Sequence, residues 1–107
     1  IKFLTLVIVS ISISNYAGYT QTIGLIGSFN SWSSDVVMNT SDNINYTLSY
    51  NFSAAEQVKF RQDGSWTINW GNSAFPSGTG LQDGPNIPVL MGDYDISFNI
   101  QSGAYSF

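Results

Sequence analysis

A chain of 107 residues fits one domain with a modest core. Charged residues make up only 9% of it, far below the ~25% usual for soluble domains, and Asn, Ser, Thr, Gly and Gln fill the gap. The net charge of −4 and the short list of cations, Lys2, Lys59 and Arg61, exclude nucleic-acid binding and polybasic membrane attachment. The absence of Cys excludes disulfides, thiol nucleophiles and thiolate metal sites, and the absence of His removes the commonest general base and metal ligand.

The chain opens "IKFLTLVIVSISISNYAGYTQT". Lys2, an apolar run from Phe3 to Ile13 and a small residue at Ala17 have the order of a secretory signal peptide, expected at 1–17, with the domain occupying 18–107. The run is too short for a transmembrane helix. The alternative is a β-strand, since Val7, Val9, Ile11 and Ile13 are β-branched and partly alternate with polar residues.

No later window keeps a 3.6-residue apolar period, so no helix is expected beyond a turn or two. Strand signals recur instead: "TIGLIGSF" (22–29), "NYTLSYNF" (45–52), "QVKFRQ" (57–62), "SWTINW" (65–70), "NIPVL" (86–90), "DYDISFNI" (93–100) and "AYSF" (104–107). Gly, Pro, Asn and Asp clusters separate them. Short strands at this spacing predict an all-β, immunoglobulin-like antiparallel β-sandwich. Its expected core is Phe29, Leu48, Tyr50, Val58, Phe60, Val89, Tyr94, Ile96 and Phe98. The stretch 71–85, with four Gly and two Pro, reads as a long loop, and long loops on a rigid sandwich often carry function.

The segment "VKFRQDGSWTINWG" (58–71) holds two of the three cations and two of the three Trp. Asp63-Gly64 is a two-residue hairpin signal. It would pair Gln62 with Ser65, Arg61 with Trp66 and Lys59 with Ile68, placing Lys59, Arg61 and Trp66 on one exposed face and Val58 and Phe60 in the core. The same register adds Trp70 to the cationic face. It also strands Ile68 there, and a bulge or longer loop would turn both inward. A patch of rings and cations suits a polyol, whose apolar C–H face can lie on an indole while its hydroxyls meet polar groups. The structural alternative is a core Trp beside solvated edge lysines.

The order "GSFNSW" (27–32), "VKFRQDGSW" (58–66) and "NIPV" (86–89) resembles the glycogen-binding modules of the isoamylase N-terminal type. The span 22–107, with "FPSGTG" and "GDYDISFN", is similar to the repeated domains of secreted Bacteroidetes proteins related to the SusE/SusF-type outer-membrane starch-binding proteins. The resemblance implies stacking on α-1,4-linked glucose by Trp32 and Trp66 and hydrogen bonding by Lys59 and Asn86. It departs at Val58, where the glycogen-binding pattern has an aromatic, and at the missing lipid-anchor Cys.

The expectation is therefore non-catalytic carbohydrate binding, α-glucan first, on a secreted or cell-surface, outer-membrane-associated protein. The site residues are Trp66, Lys59, Arg61, Trp32, Asn86 and Trp70, with no cofactor and no metal. Expected partners are a polysaccharide or oligosaccharide and further domains of a longer chain, with no nucleic acid and no transmembrane segment. A glycosidase would need two carboxylates flanking a cleft, and the seven acids sit mostly in turns. The remaining alternative is an Ig-like spacer or adhesion domain without a sugar site.

Overall fold

The computed structural model describes residues 20–107, and the leader expected at 1–17 lies outside them. Eleven strands, β1 (Ile23–Gly27), β2 (Val36–Val37), β3 (Asn39–Thr40), β4 (Asn45–Phe52), β5 (Glu56–Gln62), β6 (Asn69–Gly71), β7 (Ser77–Thr79), β8 (Leu81–Gln82), β9 (Ile87–Val89), β10 (Gly92–Asn99) and β11 (Ala104–Ser106), form two antiparallel sheets. One runs β2-β1-β5-β6-β8, with β9 also pairing β5; the other runs β3-β4-β10-β11-β7. The sheets pack as a β-sandwich of the immunoglobulin-like kind. Among the described residues the one helical element is a 3-10 turn at Ser28–Asn30, and no helix is long and apolar enough to cross a membrane.

Alternation builds the second sheet. In β4 and β10, residues of one parity are aromatic or aliphatic (Tyr46, Leu48, Tyr50, Phe52; Tyr94, Ile96, Phe98), and the register Tyr46↔Phe98 to Phe52↔Gly92 lays them on one face. The first sheet answers with Ile23, Leu25, Val58, Phe60, Trp70, Ile87 and Val89. Across the interface Phe60 stacks on Phe98 at 4.4 Å and 9°, and Trp70 packs on the same ring at 5.0 Å. Of the expected core, Val58, Phe60, Val89, Ile96 and Phe98 are fully buried, while Phe29, Leu48, Tyr50 and Tyr94 are partly buried against it.

Strand β1 differs from the others. All five of its residues are buried, although Gly24 and Ile26 pair with Arg61 and Lys59 on the side away from the other sheet. Ile26 is fully buried without belonging to the inter-sheet core. The outer face of this sheet is thus covered, which is why "IGLIG" has no polar alternation.

Two expectations need correction here. The stretch 71–85 is not one loop, since β7 joins the second sheet and β8 returns to the first. The hairpin register is also different. Asp63 and Gly64 do adopt positive φ, 54° and 61°, and the Ser65 N–H closes the turn on the Gln62 carbonyl at 3.1 Å. The chain then turns again, so that the Gln62 N–H reaches the Ile68 carbonyl and the pairs are Phe60↔Trp70 and Arg61↔Asn69. Burial decides this. The longer loop sends Trp70 and Ile68 to the core side, and burying rings of this size contributes about 2–3 kcal/mol, more than a tight turn loses by extension.

Candidate functional site

The outer face of the first sheet collects the expected site residues, except one. Trp70 is 7% exposed and lies in the core, so it is not a binding ring. This corrects its placement with the cations, and the reason is the register just described.

Three loops cover this face. Residues 28–35 follow β1, and Asn30 folds them: its Oδ1 accepts from the Gly27 N–H at 3.3 Å, its Nδ2 donates to the Ser34 carbonyl, and its carbonyl accepts from Ser33. Ser31 and Trp32 consequently adopt positive φ, 57° and 56°, a left-handed conformation that bulky side chains seldom take. Such strain in a loop is a pointer to function. Residues 63–68 carry Trp66, and residues 83–86 connect β8 to β9.

The loops bring Trp32 and Trp66 together with ring centroids 5.9 Å apart and planes inclined at 45°. Trp66 is 45% exposed and Trp32 half-buried. The cations were expected to be exposed beside these rings, and instead they are buried, Lys59 at 9% and Arg61 at 7% exposure. Arg61 Nε donates to Asp35 Oδ1 at 2.5 Å, and its guanidinium carbon lies 4.7 Å from the Trp66 ring centre. Asp35 reaches it because Gly24, the cross-strand neighbour of Arg61, has no side chain. A Cβ there would lie 2.5 Å from the Asp35 Cβ. Lys59 Nζ donates to the Gly84 carbonyl at 2.5 Å. Its stem runs past Gly71, where a Cβ would lie 1.9 Å from the Pro85 carbonyl oxygen. Burial pushes the Lys59 ammonium below its ordinary range, with Asp83 pulling partly the other way.

The cations therefore brace the loops from within. Arg61 holds the loop of Trp32 through Asp35 and supports Trp66 from one side, while Lys59 holds the loop of residues 83–86. Asn86 lies in that loop and is exposed. The β5–β9 ladder ends at Val58↔Ile87, so Asn86 is the next residue along, on the side of Lys59. Asp35, Asn69 and Asp83 also belong to the site, and no sequence motif marks them. Asn69 Nδ2 donates to the Trp66 carbonyl at 2.9 Å and to Asp83 Oδ1 at 3.0 Å. The one advance signal was that five acids lie outside any strand pattern and two cations had to find partners.

No family model matches the chain, nor does any curated protein or solved structure. The site is therefore read from its own geometry.

Proposed function

We propose that the protein is a non-catalytic carbohydrate-binding domain that holds a neutral glycan, α-glucan first, on the Trp32–Trp66 platform, as part of a secreted or cell-surface protein. The observation that carries this reading is the pair of inclined, solvent-reaching indoles presented by two separate loops and braced from beneath. Planes at 45° suit successive sugars of a curved chain better than those of a flat ribbon, which favours α-1,4 over β-1,4 linkage. The charge distribution favours a neutral ligand. Among the described residues the two cations are both buried, whereas the acids are mostly exposed, so an anionic polysaccharide meets repulsion with no surface cation to offset it. Hydrogen bonding falls to the exposed groups of residues 83–86, Asn86 among them, instead of to Lys59 and Arg61.

One open face with two rings and a few water-competing hydrogen bonds gives a net of roughly −4 to −7 kcal/mol, or millimolar to ~10 μM affinity. Calorimetry with maltoheptaose, against cello- and xylo-oligosaccharide controls, tests the reading. Saturable heat with maltoheptaose and none with the controls is expected. No heat with any of them rejects the sugar reading in favour of the Ig-like spacer.

A further inference from the structure

Among the described residues, one buried side-chain polar atom has no hydrogen-bond partner: Oδ1 of Asn69. Asn69 is 5% exposed and stands opposite Arg61 on the covered face. Turning the amide over would not rescue the oxygen. Its nitrogen sits between the Trp66 carbonyl and the Asp83 carboxylate, and both can only accept. An oxygen in that place would face two oxygens. The orphaned acceptor is thus the consequence of using both amide protons to join Trp66 to Asp83, and a buried acceptor in that position calls for an explanation.

What the arrangement achieves is a fixed carboxylate beside the platform. Asp83 is exposed. It is held twice by the same residue, its Oδ1 by the Asn69 side chain at 3.0 Å and its N–H by the Asn69 carbonyl at 3.1 Å. Its φ of 57° places it at the corner of the turn that the Gly84 N–H closes on the Leu81 carbonyl at 3.0 Å. The amide nitrogen that holds the carboxylate also holds the backbone of Trp66, so the carboxylate is tied to the loop that carries the exposed ring. An ionised carboxylate has more acceptor sites than one amide proton fills. Sugar hydroxyls are donors, and charge-assisted bonds to a carboxylate are the stronger kind.

We propose that Asp83, fixed by Asn69, is the hydroxyl-gripping residue of the platform. It accepts hydrogen bonds from the hydroxyls of the sugar stacked on Trp66, and Asn69 acts as its positioning residue. The proposal rests on the glycan reading above and names the group that selects among glycans by where their hydroxyls lie. Nothing in it depends on Lys59 or Arg61 facing the ligand.

The test is calorimetry of the parent, Asp83→Asn, Asp83→Ala, Asn69→Ala, Asp83→Asn/Asn69→Ala and Trp66→Ala with maltoheptaose, cellohexaose and xylohexaose, alongside urea unfolding of each. Asp83→Asn keeps the shape and removes the charge. It is expected to weaken binding of the preferred oligosaccharide about tenfold, with the urea midpoint unchanged. Asp83→Ala should do the same or more. Asn69→Ala should weaken binding in the parent and cost clearly less once Asp83 is already Asn, the remainder being the lost bond to the Trp66 carbonyl. If both Asp83 variants bind like the parent while Trp66→Ala has lost binding, the proposal fails and the glycan reading stands. A loss of affinity in Asp83→Asn that comes with a lowered midpoint also overturns it, since the role is then structural. A parent that binds none of the three oligosaccharides rejects the glycan reading and this proposal together.

Discussion

The two outer faces of the sandwich obey the same alternation and end differently. On the second sheet the outward residues of β4 and β10 form a bare ladder of short polar pairs. Asn51 donates to Asp93 at 2.6 Å, Ser49 to Asp95 at 2.7 Å, and Asn99 to Asn45 at 2.9 Å. Asn45, Thr47, Ser49, Asn51, Asp93, Asp95 and Ser97 along it are all exposed. On the first sheet the outward positions hold Gly24, Ile26, Lys59, Arg61, Asn69 and Gly71, and loops lie over them. A flat polar strand face offers amides, carboxylates and a hydroxyl that already satisfy one another. A face with gaps and buried charges can seat loops, and loops can lift aromatic rings clear of the sheet. The difference teaches that the scarce cations mark where loops are anchored, and mark the proposed ligand site only through those loops.

Breaking the anchored face should give the largest effect. Arg61→Ala leaves Asp35 without its ion-pair partner in a setting where both side chains are only 9% exposed. It should lower stability by about 3 kcal/mol, most of it the penalty on the remaining charge. Urea unfolding checks this, and Asp35→Ala added to Arg61→Ala should bring little further loss. A bare-face result, under ~0.5 kcal/mol, would remove the argument for bracing.

Trp66→Ala comes next and separates binding from folding. It should cost about 2 kcal/mol of glycan affinity, about thirtyfold by calorimetry. The stability change should stay under ~1 kcal/mol because nearly half of the residue is exposed. Lys59→Met should be milder, within about 1 kcal/mol of stability. The lost bond to Gly84 is offset by relief from burying a charge. The sign of its pH dependence is fixed: the depressed folded pKa makes the contribution of Lys59 most favourable above 10.5, the ordinary value, and least so as pH falls through the lowered one. Parent and Lys59→Met unfolding curves should therefore diverge in the parent's favour as pH rises. On the bare face, Ser49→Ala removes one exposed bond to Asp95. It should change stability by under ~0.5 kcal/mol and leave glycan affinity unaltered. A loss of affinity there would mean that the sheets share the work.

The bare face could be read from the residues alone, and the covered one could not. Tyr46, Leu48, Tyr50 and Phe52, and Tyr94, Ile96 and Phe98, announce their strand and its inward side by period. Strands of two residues, such as Val36–Val37 and Leu81–Gln82, carry no period at all. The Asp63-Gly64 turn was legible because it is local, and it forms. The pairing after it was not, because it depends on where Trp70 finds a core, which is a tertiary matter. The segment 58–71, by gathering cations and Trp, marked Trp66 as a site ring and wrongly added Trp70. It gave no sign that Arg61 would find Asp35, 26 positions away, through a gap left by Gly24.

One edge of β5 is shared, with β6 along one part and β9 along another. The loops of residues 63–68 and 83–86 flank that divided edge, and the loop of residues 28–35 reaches over β5 from β1 on the other edge. Each is held by a bond to a distant partner, so the platform exists only after both neighbours have docked on β5. Local structure alone does not assemble it, and closing such long-range pairings is the slow part of β-sandwich folding. On the proposed reading, a glycan engages the finished domain and ignores chains still in the course of folding. Ligand present during refolding should leave the folding rate alone and slow unfolding, and it should raise the melting temperature with concentration as binding to the native state alone requires.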